Sequence, residues 1–311
     1  MTIISLFLAL LSIVAVAQDA NLMLALEKDK PAIIELPMTH IKVTATADEL
    51  IAEFVCEEPN MEYIRKKYAT SQWNVFGGEN VEMFLSPFGG SPNYRFLINP
   101  SKNMVQAFMG DAKWRNPSIT GDAKKEDSSW TATFVIPYSA LEDDDIRPKA
   151  PATRRPLRQG KSWKANFSRT RRASGKTEHF VWDKEADLGA KGKGRIIIPD
   201  DVFAAFPTVA IKALAVSEPD DDGKALCTGT IIDTANGFSG EAQYMLFIDG
   251  KSSCIHKMPV ALKPGESSPF SVPIELPEHS GKFKLTLHLL DANGKIVRSS
   301  REIPITNPWM E

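Results

Sequence analysis

Short segments that alternate polar and apolar residues dominate this sequence and most constrain its fold. Each has the two-residue period of a strand with one buried face, and turn-forming Gly, Pro, Asn and Asp separate them. Nine lie in the first two thirds of the chain, at 40–47, 50–58, 80–87, 94–100, 104–110, 130–137, 162–171, 178–182 and 194–199. A short helix is predicted within 59–69, where the sequence is PNMEYIRKKYA. The pattern predicts a β-sandwich.

A second block of the same style begins near Pro207 and contains seven further strand-like segments. Its turns include Asp291-Ala-Asn-Gly294, a sequence typical of hairpins. Seven strands in about a hundred residues are typical of an immunoglobulin-like or fibronectin-like sandwich. Because 311 residues suffice for two cores, we predict an all-β chain with sandwiches at 18–206 and 207–311.

The amino terminus has the features of an export signal. Residues 3–16 are uncharged and mostly apolar, and Ala15-Val-Ala17 matches the small-x-small pattern of signal-peptide cleavage. We predict a signal peptide at 1–17 and a mature chain that starts at Gln18, with an uncleaved anchor as the alternative. The protein would then be secreted, periplasmic or on the cell surface, with no further contact with the membrane.

The net charge of the chain limits the classes of binding partner that it can attract. A net charge of -2 gives no general attraction to nucleic acid, so electrostatic arguments must be local. Four acidic residues at 142–145 precede the range 147–176, which holds eleven Lys or Arg and no Asp or Glu. This range is either a solvated basic surface or a patch for an acidic polysaccharide.

The three cysteines permit at most one disulfide within the chain, and Cys227 with Cys254 is the candidate pair. The alternative is that the cysteines are free and act as small hydrophobic residues. No cofactor is predicted. Structural calcium is an open alternative because of acidic loops such as Asp220 to Asp222, although their spacing is not diagnostic.

The segment at 79–87, ENVEMFLSP, carries a carboxylate in the middle of a predicted strand. Alternation places Val81, Met83 and Leu85 on one face and Glu82 with Phe84 on the other. In the same way, Arg95, Leu97 and Asn99 share one face of the segment YRFLINP. Glu82 therefore either forms a cross-strand ion pair with Arg95 or serves a binding site.

Five segments in order resemble the family 9 carbohydrate-binding modules: TADELIAEFVCEEPN, a tryptophan followed by ENVEMFLSP, YRFLINP, SSWTATFVIPYSAL and SWKANFSRTR. The resemblance covers roughly residues 20–200. It implies a β-sandwich that binds sugars without catalysis, as an accessory to extracellular carbohydrate breakdown. It also implies that Trp73 forms one wall of the site and that Glu82 and Asn99 hydrogen-bond to sugar hydroxyls.

The sequence departs from the family pattern at two points. Leu97 stands where sugar-binding members have an arginine, and Arg95 is the candidate to replace it from the same face. The late tryptophan that closes the family site is missing, since Trp182 matches a position upstream of it. Trp182 and Trp114 are the candidates for a second wall, with a hydrophobic anchor as the alternative for Trp114.

Other residues in the resembling segments are expected to be structural. Trp130 and Trp163 begin strands and are predicted to lie in the core. Asn166 and Arg169 match an N-x-x-R motif of the family, where a structural network and a ligand contact are both open.

Three other functions remain open from the sequence. The first is a structural cell-surface module whose sugar site has degenerated. The second is a haem-binding sandwich, for which Met83, Met104 and Met109 are candidate ligands. The third is a glycoside hydrolase, whose two carboxylates follow no short motif.

Overall fold

The computed structural model describes residues 22–70, 74–87, 93–141, 161–184, 192–204, 206 and 208–309. The predicted signal peptide at 1–17 and the acidic residues at 142–145 lie outside these residues. The described residues form twenty strands, two short α-helices and one 3-10 turn. The prediction of an all-β fold is confirmed.

Twelve strands and both helices belong to the first part of the chain. The strands are β1 Met23–Ala25, β2 Pro31–Leu36, β3 Thr39–Ala45, β4 Glu49–Glu57, β5 Asn80–Ser86, β6 Tyr94–Ile98, β7 Met104–Phe108, β8 Thr120–Lys125, β9 Ser129–Pro137, β10 Ser162–Arg171, β11 Glu178–Val181 and β12 Arg195–Ile197. The helices are α1 Met61–Lys67 and α2 Asp200–Ala204, and the 3-10 turn is Tyr138–Ala140.

These strands form two sheets around one hydrophobic core. The first sheet has the order β1-β12-β10-β5-β6-β7, with β11 also paired to β10, and the second has the order β2-β3-β4-β9-β8. Alternating apolar residues from both sheets fill the space between them, and Trp130 and Trp163 are fully buried there, as predicted. This part is therefore a β-sandwich.

All nine predicted strands of this part are present, and three more were not predicted. β2 begins with a proline, and β8 reads TGDAKK with one buried residue, Ala123. β1 has three residues. Such short or polar edge strands carry little of the alternation on which the prediction depends.

The second part contains β13 Val209–Val216, β14 Lys224–Asp233, β15 Phe238–Ile248, β16 Lys251–Leu262, β17 Ser267–Glu275, β18 Phe283–Asp291, β19 Ile296–Ser299 and β20 Ile303–Ile305. They form one sheet of order β13-β14-β17 and another of order β16-β15-β18-β19, with β20 paired to β18. A separate core packs between these sheets. The boundary at residue 206 and the immunoglobulin-like assignment stay predictions.

Buried polar contacts join the two parts. The Asn116 side chain is fully buried and donates hydrogen bonds to the Ser299 carbonyl at 3.0 Å and the Ala140 carbonyl at 3.3 Å. Arg298, which is 6% exposed, donates to the Leu141 carbonyl at 3.0 Å. Buried polar groups need hydrogen-bond partners. Here the partners of Asn116 and Arg298 include residues of the other part, so separating the two parts would leave these groups without them.

The structure contradicts the Cys227–Cys254 disulfide. All three cysteines are free. Cys227 is buried in β14, whereas Cys254 is exposed on β16, which belongs to the opposite sheet. Cys56 is buried in the first core.

Candidate functional site

The first sheet of the first sandwich has two different faces. Val81, Met83 and Leu85 of β5 are fully buried in the core, as the alternation predicted. Glu82 and Phe84 point to the other side, which we call the outer face. In β6, Glu82 lies opposite Leu97, and Phe84 lies opposite Arg95. Directly opposite residues share a face, so Arg95 is also on the outer face.

Glu82 and Arg95 form a forked ion pair on this face. Arg95 donates from Nε to Glu82 Oε1 and from its terminal nitrogen Nη2 to Oε2, the latter at 2.8 Å. The Glu82 side chain is 9% exposed and that of Arg95 is 29% exposed. The cross-strand pair that the sequence left open is therefore present, and it holds the guanidinium where solvent can reach it.

Phe76 completes the group and was not among the predicted site residues. Its ring is 47% exposed, and the Arg95 guanidinium carbon lies 5.7 Å from the ring centroid. A cation over an aromatic face is an attractive contact. Its sequence signal was weak, an aromatic residue just before Gly77-Gly78 and the start of β5.

Local contacts hold the segment that carries Phe76. Asn80, at the start of β5, donates from Nδ2 to the Val75 carbonyl at 2.8 Å and the Gly78 carbonyl at 3.2 Å. The Tyr68 hydroxyl accepts the Glu79 N–H at 2.6 Å. A Cβ at Gly78 would lie 2.5 Å from that hydroxyl, so this position requires glycine. The ring is thus presented by a fixed segment.

Asn99 has a structural role in this arrangement. Its side chain is fully buried, and its Oδ1 accepts the N–H groups of Ser101 at 2.9 Å and Asn103 at 3.0 Å. These bonds close the turn between β6 and β7. The side-chain oxygen of this residue, which the resemblance assigns to sugar binding, is therefore engaged with the backbone.

Neither candidate for the second wall lies beside Glu82. Trp114 is 3% exposed and packs on Tyr94 at 5.3 Å and Phe108 at 5.8 Å between ring centroids, on the core side of the sheet. Trp182 packs on Phe167 of the core at 5.7 Å. The alternative for Trp114, a hydrophobic anchor, fits its placement. Trp73 lies outside the described residues.

Arg169 of the N-x-x-R motif belongs to a buried charge network rather than to the outer face. Its guanidinium is fully buried and donates to Glu79 at 2.8 Å and to Glu58 at 3.2 Å. It also donates to the carbonyl oxygens of Met38 and Glu57. The other residue of the motif, Asn166, accepts the Asp183 N–H at 3.0 Å, so both residues make structural contacts.

Arg171 joins this network through Glu58. It donates from Nε at 2.7 Å and from Nη2 at 2.9 Å, and the Asn60 N–H also donates to Glu58 at 2.9 Å. Burial by itself would raise the pKa of Glu58, but the hydrogen bonds from Arg171 and Asn60 outweigh it and lower the pKa below its ordinary value. The carboxylate is therefore held ionised inside the sandwich.

The described part of the chain contains no group of three or more His, Cys, Asp or Glu residues that could hold a metal ion. It contains no helix that is long and apolar enough to cross a membrane. In the acidic loop, Asp220 accepts the N–H groups of Asp222 and Lys224.

The candidate haem ligands do not share one location. Met83 is buried in the core, and Met104 is packed against it as a partly buried residue. Met109 follows β7 in the left-handed backbone region at φ 52 and is 44% exposed. A haem site between these residues has no support from their placement.

No protein-family model and no curated protein matches the chain. Among solved structures, the chain is similar to a family 9 carbohydrate binding module from Caldicellulosiruptor kristjanssonii in complex with cellotriose, at 10% identity and a TM-score of 0.39 over 57% of this chain and 93% of that one. It is similar to a candidate carbohydrate-binding protein from Bacteroides uniformis at 14% identity and a TM-score of 0.38 over 58% and 100%. A β-glucuronidase from Bacteroides uniformis shares 10% identity at a TM-score of 0.25, over 82% of this chain and 26% of its own.

Proposed function

We propose that this chain binds carbohydrate without catalysis, through Phe76, Glu82 and Arg95 on the outer face of the first sandwich. The observation that carries the proposal is the exposed Phe76 ring beside a guanidinium that Glu82 holds in place. A sugar ring offers apolar C–H groups to an aromatic face and hydroxyls to charged hydrogen-bonding groups. The three side chains supply both kinds of contact within one surface.

The donors and acceptors also suit hydroxyl recognition. Two nitrogens of Arg95 donate to Glu82, and the guanidinium has further N–H groups on its second terminal nitrogen. Each carboxylate oxygen of Glu82 has a second lone pair that can accept a sugar O–H. A ligand hydroxyl can therefore bridge the pair without breaking it.

The residues directly opposite Glu82 offer no second carboxylate for hydrolysis. Glycoside hydrolases place a second carboxylate within about 5–10 Å of the first. Leu97 and Ser168 lie directly opposite Glu82 on the adjacent strands. The resemblance of five sequence segments to sugar-binding modules supports carbohydrate binding, as does the predicted export of the chain. We place its action outside the cytoplasm, as an accessory to polysaccharide breakdown.

The test is binding of the mature chain to a panel of neutral and acidic polysaccharides and their short oligosaccharides. We expect Phe76→Ala and Glu82→Gln each to weaken binding on the order of tenfold, through the lost stacking and the lost charged hydrogen bonds. Trp73→Ala tests the wall that the family resemblance implies. Leu226→Ala is the control, because Leu226 is 42% exposed in the second sandwich.

Absence of binding to every glycan in the panel would refute the proposed function. Binding that survives in folded Phe76→Ala and Glu82→Gln would refute the proposed site. The structural-module alternative would then account for the Glu82–Arg95 pair as a surface ion pair.

A further inference from the structure

Two cations lie directly opposite each other on the outer face. Lys164 of β10 pairs with Arg195 of β12, and both side chains are half-buried. Their neighbours Trp163, Ala165 and Ile196 point into the core. Alternation therefore places Lys164 and Arg195 on the outer face, the same face as Glu82.

This arrangement is unfavourable on its own. Like charges directly opposite each other on paired strands destabilise the pairing. Within the ranges that the structure describes, no carboxylate forms an ion pair with Lys164 or Arg195. The Asp183 carboxylate, which follows β11, instead accepts the N–H groups of Lys193 at 2.5 Å and Gly194 at 2.8 Å. Among the described residues, no carboxylate therefore compensates these two positive charges.

The cation pair lies within reach of the proposed sugar site. Lys164 is opposite Ser86 on β5, and Arg95 lies one strand further on, opposite Phe84. With strands about 4.8 Å apart and residues on one face about 6.8 Å apart, the Cα atoms of Lys164 and Arg95 are separated by roughly 12 Å. Both side chains are long, so one oligosaccharide can contact both groups.

We propose that Lys164 and Arg195 bind the anionic group of an acidic sugar in the glycan that Phe76, Glu82 and Arg95 hold. This inference rests on the proposed function and names its substrate class. The ligand chemistry is a carboxylate or sulfate oxygen. Arginine binds either one with two parallel hydrogen bonds, and lysine adds a compact positive charge. The anion removes the repulsion between the two cations, so part of its binding free energy comes from that relief.

The experiment compares three oligosaccharides of the same length and linkage by calorimetry at low salt. One is neutral, one carries uronate carboxylates and one carries sulfate esters. We expect the combined Lys164→Gln and Arg195→Gln variant to bind the charged ligands at least about tenfold more weakly, and the neutral one unchanged. The ligand that loses more affinity identifies the anionic group.

Two further variants control for folding and for net charge. The combined Lys66→Gln and Lys124→Gln variant removes the same charge from exposed positions on α1 and β8 and should bind like the wild type. The combined Lys164→Arg and Arg195→Lys variant keeps both charges and should retain most of the affinity for charged ligands.

Three results would overturn the inference. If the combined Lys164→Gln and Arg195→Gln variant binds all ligands like the wild type, the cation pair is not a binding site, and the proposed function stands. If the Lys66 and Lys124 control weakens binding of charged ligands equally, the effect is one of net charge. If no oligosaccharide of any kind binds the wild type, the inference and the proposed function both fail.

Discussion

Arg169 and Glu79 are both fully buried, and they are joined by a hydrogen bond of 2.8 Å between strand β10 and the residue that precedes β5. Burying two charges costs free energy of solvation, which the pair offsets through Coulomb attraction and additional hydrogen bonds. The carbonyl oxygens of Met38 and Glu57 also accept from this guanidinium, so a single side chain contacts both sheets.

Removing this arginine should therefore destabilise the first sandwich severely. We expect Arg169→Met to lower the free energy of unfolding by about 3–5 kcal/mol, because Glu79 and Glu58 lose a buried partner. Urea denaturation followed by tryptophan fluorescence measures this. The control is Lys30→Met, whose ion pair with Glu27 is exposed to solvent and should contribute little to the free energy of unfolding. An equal loss of unfolding free energy in Arg169→Met and Lys30→Met would show that burial does not strengthen the contribution of an ion pair here.

Glu58 should make stability depend on pH in the acid range. Its folded pKa is below the ordinary value of 4.5, so its stabilising contribution is complete above pH 4.5 and is lost as the pH falls through the lowered folded value. The difference in unfolding free energy between the wild type and Glu58→Gln should shrink over that range. A difference that stays constant from neutral to acid pH would show that Glu58 has the same pKa in both states.

The three thiols should differ in reactivity. Cys254 is exposed, whereas burial raises the pKa of Cys56 and Cys227 to about 12. A thiol reagent should modify one cysteine per native chain and all three in denaturant, and Cys254→Ser should remove the native reaction. If the Cys227–Cys254 disulfide existed, the native chain of the wild type would show no reaction at Cys254.

Asn116 should couple the two sandwiches. Asn116→Ala removes hydrogen bonds to the Ser299 and Ala140 carbonyls at a buried position and should cost about 1–3 kcal/mol. Calorimetry should show a lower unfolding temperature and, if the parts separate, two transitions. Asn293→Ala, in an exposed turn, is the matched control. An unchanged thermogram for Asn116→Ala would show that the other contacts suffice.

Alternation explains which parts of the site could be predicted. The period of two residues places Glu82 and Arg95 on one face, and nothing beyond the two strands is needed for that result. Phe76 could not be assigned in this way, because its exposure depends on the contacts of Asn80 and Gly78 with neighbouring chain. The packing of Trp114 could not be predicted from the sequence, because an aromatic residue in a loop carries no pattern that shows the face on which it packs.

The buried charge network around Arg169 could not be predicted from the sequence either. Arg169 and Glu58 are separated by 111 positions, and no local pattern connects them. The family motif drew attention to Arg169 without distinguishing ligand contact from structural contact. The interface between the sandwiches could not be predicted for the same reason, since Asn116 and Ser299 are 183 positions apart.

The network around Arg169 has a consequence for the opposite face of its own strand. A shift of one residue in the register of β10 would turn every one of its side chains to the other side, bringing Lys164 into the core and Arg169 into solvent. The bonds from Arg169 to Glu79, Met38 and Glu57 can form in one register only. This buried cluster thus determines which side chains of β10 the outer face presents, so a substitution within it would change the composition of that face.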